Sequence, residues 1–175
     1  MLKSIIKTTS VIFFILIAFA AISLVYMSIR KASTENEHVS WIGMQTTTIH
    51  GNDFIIGSTR SQYTIVFMFN PDCDLCLFEL EDVIKAHDSF SEKEVNFISF
   101  AGIDLLEELH LDYKINTFNH IQLLNIKPDK LPVGMIDYPS PSVLVYNKLG
   151  SIILEHKGYC PPETLIIKIR DNENR

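Results

Sequence analysis

Cys73 and Cys76 stand three residues apart inside Phe69-Asn70-Pro71-Asp72-Cys73-Asp74-Leu75-Cys76, where an apolar run gives way to an amphipathic one. At the start of a helix, residues so spaced bring their Cα atoms within the roughly 4.4–6.8 Å that a disulfide spans. The first cysteine then occupies the helix N-terminus, where unpaired N–H groups and the dipole favour a thiolate, the nucleophilic form. Reversible disulfide chemistry is the expectation, and two other uses of the pair stay open. Cys73 and Cys76 joined by His156 and Cys160 would make a zinc set, although some 80 residues separate the two halves and compact zinc sites keep their ligand pairs closer. A purely structural bridge is the other, but one closing so short a loop constrains the unfolded chain little. Covalent haem attachment is excluded because Leu77 stands where a histidine is required.

The pair has to be held by its neighbours in the chain. Counted at 100° per residue from Cys76, positions 76, 77, 79, 80, 83, 84, 86, 87 and 90 share one arc, and Glu81, Asp82, Lys85, Asp88 and Ser89 share the other. This predicts an amphipathic helix over 73–90 with Cys76 on its apolar side. Glu79 lies on that side too. A poorly solvated carboxyl holds its proton longer, which suits Glu79 to accept the proton of Cys76; the bland alternative is a surface glutamate at the edge of the arc. Phe78 is the bulky apolar residue on the polar arc, either a partner contact or simply exposed.

Buried-strand runs at 63–69 and 95–100 flank this helix. A hairpin over 45–49 and 53–56 about His50-Gly51-Asn52 precedes them. A short helix at 104–112, a weaker strand at 120–126, a hairpin over 142–147 and 151–156 about Lys148-Leu149-Gly150, and a helix opened by Pro161-Pro162 and running to 169 follow. The order ββ, βαβα, βββα predicts an α/β domain with a sheet sandwiched by helices.

The 175 residues, 47% apolar and 21% charged, exclude a disordered or low-complexity chain, and the net charge of −6 argues against a nucleic-acid surface. Residues 8–29 carry no charge. Twenty helical residues reach roughly 30 Å, the thickness of the hydrocarbon layer, so 10–29 is read as a transmembrane anchor after a short N-terminus at 1–9. Ala18-Phe19-Ala20 also has the form of a signal-peptidase site, but cleavage there would leave an apolar stub. A polar tether at 30–40 leads to the domain at 41–175. Without Lys3, Lys7, Arg30 and Lys31, 11 of the 15 cations remain against 21 acids. The six histidines share no spacing that would make them ligands.

Across about 45–169 the chain resembles the thioredoxin fold in its membrane-tethered TlpA/ResA-type thiol-disulfide oxidoreductase branch. The resemblance rests on a hairpin before the strand leading to C-x-x-C, on Glu79 three residues after Cys76, on Ser140-Pro141-Ser142 ahead of a strand, and on Gly150 and Gly158 at the following turn and strand end. It implies a mixed central sheet flanked by helices with an N-terminal β-hairpin. It also implies a cis peptide before Pro141 shaping a partner groove with Ser140, a close approach of Gly158 to that loop, and a redox-active Cys73–Cys76 disulfide with no other cofactor. If Cys160 follows the family's course it approaches the pair as an accessory thiol; otherwise it is an inert free cysteine.

The chain departs from the family at Asp72, where tryptophan is usual, and at Asp74-Leu75, which contains no proline. Asp72 and Asp74 disfavour a Cys73 thiolate about as much as the helix end favours it, which points to a reductant rather than an oxidant. A peroxidase on the same fold would need proline and threonine where Val66 and Asn70 stand, and a non-catalytic partner-binding module would not need both cysteines. The implied partners are protein thiols or disulfides, a second redox protein and the membrane, with no nucleic acid. The implied location is the cell (inner) membrane, single-pass, with the C-terminal domain outside the cytoplasm, where disulfides persist.

Overall fold

The strand β3, Tyr63–Met68, is buried on both faces along its whole length. Its β-branched and aromatic residues suit a strand covered above and below, and parallel pairing supplies that setting. The computed structural model of the chain describes Ser23, residues 40–131, Met135 and residues 138–174. Ser23 apart, the predicted anchor at 10–29 lies outside the described residues, as do the segments at 1–9 and 30–39. Among the described residues no helix is long and apolar enough to cross a membrane.

Among the described residues seven strands form one sheet. β1 (Gln45–Thr48) and β2 (Asp53–Ile55) make the predicted hairpin. β3 leads through α1 (Asp74–Lys85) to β4 (Glu94–Ser99), and β4 leads through α2 (Ile103–Asp112) to β5 (Ile121–Asn125). β6 (Ser142–Asn147), β7 (Ile152–Lys157) and α3 (Pro162–Glu173) complete the domain. The spatial order is β2-β1-β5-β4-β3-β6-β7, with β3, β4 and β5 parallel and the remaining pairings antiparallel. A mixed sheet with an N-terminal hairpin is therefore present.

Both crossovers, β3-α1-β4 and β4-α2-β5, step along the sheet in the same direction. Right-handed connections then place α1 and α2 on one face. The buried residues follow this rule. Ile65, Phe67, Phe97, Leu123 and Val145 share a cluster with Leu80 and Val83 of α1, Leu106 of α2, and Leu165 and Ile169 of α3. Phe67 and Phe97 stack there at 4.5 Å. On the opposite face Val66, Met68, Ile98, Leu124 and Leu144 pack with Trp41, Ile56, Met135 and Tyr146, and no described helix enters. The expected sandwich is thus helical on one side and, among the described residues, covered by hairpin and loop chain on the other.

The helix predicted over 73–90 ends at Lys85, and His87–Phe90 continues as a 3-10 turn. The tighter turn still delivers Phe90 into the core, so apolar periodicity alone did not reveal the break.

Candidate active site at the start of the first helix

Where β3 leaves the sheet, Asn70 organises the turn. Its side-chain oxygen accepts from the Asp72 N–H at 3.1 Å, and its carbonyl accepts from the Cys73 N–H at 3.1 Å. Cys73 is the N-cap of α1, in an extended backbone conformation, and its Sγ accepts from the Cys76 N–H at 3.4 Å. The sulfur therefore sits where a helix presents its unpaired N–H groups. Cys73 is half-buried, whereas Cys76 is 1% exposed. Burial pushes the Cys76 thiol up to about 12, with Cys73 and Glu79 adding to the effect. The pair is asymmetric: one sulfur can be reached from solvent, and the other is held protonated one turn deeper. Cys73, Cys76 and Cys160 are all free thiols in this structure.

Glu79 lies within the apolar side of α1 and is 1% exposed. Desolvation raises its carboxyl to about 7, against the lowering effect of the Cys160 N–H, which donates to Glu79 Oε1 at 2.8 Å. The edge-of-arc alternative is thereby set aside.

The pairing of Met68 with Ser142 puts Pro141 at the same end of β3 as the Cys73 turn, and the pairing of Ser142 with Lys157 brings Gly158 beside it. The Ser140–Pro141 peptide is cis, Pro141 is buried and Ser140 is exposed. The Gly158 N–H donates to the Pro141 carbonyl at 2.8 Å. Gly158 has φ +92°, a conformation that favours glycine.

Cys160 is fully buried, and burial and Glu79 push its thiol up to about 11. It meets the site through its backbone N–H on Glu79. The nucleophilic sulfur needed by an accessory thiol is disfavoured here. Leu75 and Phe78, on the same helix, are 55% and 49% exposed. Phe78 also rests against the Tyr159 ring at 5.3 Å, so it is neither free nor buried.

Tyr159 went unremarked in the sequence, and Asp82 stood there only as a residue of the polar arc. The Tyr159 hydroxyl donates to Asp82 Oδ2 at 2.8 Å across 77 residues of chain, and no local pattern announces such a contact. Among the described residues no group of three or more His, Cys, Asp or Glu is placed to hold a metal ion.

No protein-family model matches the chain, and no curated protein matches it. Solved structures do. A secreted Mycobacterium tuberculosis disulfide oxidoreductase described as homologous to E. coli DsbE is 16% identical, with 75% of this chain and 97% of that one covered and a TM-score of 0.59. A putative thioredoxin from Neisseria meningitidis is 14% identical, with 78% and 91% covered and a TM-score of 0.63. StoA from Bacillus subtilis is 18% identical, with 72% and 95% covered and a TM-score of 0.54. At such identities the likeness establishes a thioredoxin-like α/β fold.

Proposed function

We propose that this chain is a thiol-disulfide oxidoreductase of the membrane-anchored TlpA/ResA type, acting as a reductant of protein disulfides. The observation that carries the proposal is the asymmetric pair: an accessible Cys73 capping α1, three residues ahead of a buried Cys76 whose helix face also carries a proton-holding Glu79.

In the reduced state the Cys73 thiolate attacks a partner's disulfide, forming a mixed disulfide and releasing one partner sulfur as a thiolate that takes a proton from water. Cys76 then gives its proton to ionised Glu79 and attacks the Cys73 sulfur. The Cys73–Cys76 bond forms, the second partner sulfur leaves as a thiolate that is protonated from water, Glu79 later returns its proton to solvent, and two electrons have passed to the partner. A second dithiol protein restores the starting state. Pro141, with Ser140 and Gly158, shapes the edge against which the partner backbone docks. The structural neighbour described as a secreted disulfide oxidoreductase supports the redox reading. The uncharged run at 8–29 supports a membrane anchor, and the disulfide chemistry itself favours a domain outside the cytoplasm, where disulfides persist.

The test is reduction of oxidised glutathione by the purified, reduced full chain. Cys73→Ser should abolish it, and Cys76→Ala should stall with one glutathione bound. Glu79→Gln should slow resolution by about 10²-fold or more, the usual contribution of a positioned base. Failure of the wild-type chain to form and reduce a Cys73–Cys76 disulfide would refute the function.

A further inference from the structure

Three consecutive residues ahead of α3 make polar contacts with three parts of the fold: the loop before β6, α1 and β7. The Gly158 N–H donates to the Pro141 carbonyl at 2.8 Å, and the Cys160 N–H donates to Glu79 Oε1 at 2.8 Å. Between them Tyr159 donates its hydroxyl to Asp82 Oδ2 at 2.8 Å, and its carbonyl lies 3.1 Å from His156 Nε2. The Tyr159 ring leans on Phe78, one residue from Glu79 on the same helix. Among the described residues, the Tyr159 side chain is what ties this segment directly to the exposed flank of α1.

We propose that Tyr159 is a positioning residue for the proton-transfer step, its hydroxyl on Asp82 clamping residues 158–160 so that the Cys160 N–H stays on the Glu79 carboxylate while the Gly158 N–H stays on the Pro141 loop. This rests on the function proposed above and adds a connection to it, because one short segment ties the proton acceptor to the docking edge. A carboxylate accepting a backbone N–H is favoured in its charged form. Loosening the clamp removes that donor while leaving Glu79 among apolar neighbours, so Glu79 should hold its proton to higher pH. Facing Glu79 are Cys76 from its own helix and Cys160 and Tyr159 from the segment; Asp82 and Glu163 face the Tyr159 hydroxyl.

The experiment follows the Glu79 carboxyl by ¹³C NMR through a pH titration of the reduced full chain, alongside the pH profile of glutathione release from the Cys73 mixed disulfide. Tyr159→Phe, which keeps the ring and removes the hydroxyl, should raise the Glu79 midpoint by about half a pH unit or more, as loss of one donor to a charged carboxylate does. The release profile should move with it. Asp82→Asn retains an acceptor and should stay close to wild type, whereas Asp82→Ala should behave like Tyr159→Phe and carries the test if that variant does not fold. An unchanged Glu79 midpoint in the folded variant overturns the clamp, as does a lowered one. The NMR readout needs no turnover, so the clamp is judged separately from the oxidoreductase function, which stands or falls on the wild-type chain.

Discussion

Replacing Glu79 with glutamine should change how stability depends on pH, and the change has a definite sign. The carboxyl is raised from an ordinary 4.5 to about 7 in the folded chain by burial, so the folded state binds this proton more tightly than the unfolded one. Below pH 4.5 the group is neutral in both states, and its contribution to stability is fully retained. Between 4.5 and about 7 the unfolded chain ionises first and stability falls as pH rises. Above about 7 both states are charged and the loss is complete. At about 1.4 kcal/mol per pH unit that gap amounts to roughly 3 kcal/mol. The Glu79 side chain is almost wholly buried, so solvent screening reduces this little. Glutamine can keep the Cys160 N–H bond, but its buried NH₂ has to find an acceptor, at a cost of about 1 kcal/mol. Glu79→Gln should therefore be about 1 kcal/mol less stable than wild type at pH 4 and about 2 kcal/mol more stable at pH 8. The assay is urea unfolding of both reduced full-length proteins from pH 4 to 8, followed by fluorescence of Trp41, which is the single tryptophan and is fully buried. Other carboxylates affect both proteins alike, so the difference curve isolates Glu79. A flat difference across pH 4.5–7 would refute the raised carboxyl and the proton-acceptor role with it.

Alkylation by iodoacetamide at pH 8 should label Cys73 in the folded reduced chain and spare Cys76 and Cys160, whose burial raises their thiols to about 12 and about 11; mass spectrometry showing equal labelling would contradict that ordering. Gly158→Ala should cost about 1–2 kcal/mol in urea unfolding because a side chain disfavours φ near +92°. The added methyl meets nothing within 4 Å, so a much larger loss would point to a clash the structure does not contain. Glu94 is buried and accepts from the Gly57 and Thr59 N–H groups, the Thr59 hydroxyl and the Asn96 side-chain amide. Stranding those donors by Glu94→Ala should lower stability by about 2–4 kcal/mol, and a neutral effect would show that water replaces the carboxylate.

The chain's local grammar was enough to place β3, β4, the two hairpins, the helix start at Cys73 and the arc carrying Cys76 and Glu79. Each depends on backbone periodicity or turn chemistry between residues close in sequence, and a repeat of 2 or 3.6 is legible without knowing any distant partner. The burial of Glu79 belongs to the same class, since its arc was already apolar.

The face on which the helices gather, the end of α1 at Lys85 and the surroundings of Glu79 belong to the folded sheet. Placing both crossover helices on one face required the order β3, β4, β5, which no single segment carries. The Cys160 N–H meets Glu79 across 81 residues and the Tyr159 hydroxyl meets Asp82 across 77. Backbone donors such as that of Cys160 exist at nearly every residue, so residue type cannot say which one a buried carboxylate will find. Strand order and the turn at Gly158 bring this one within 2.8 Å of Glu79, and they make a cysteine that reads as a spare thiol contribute through its main chain.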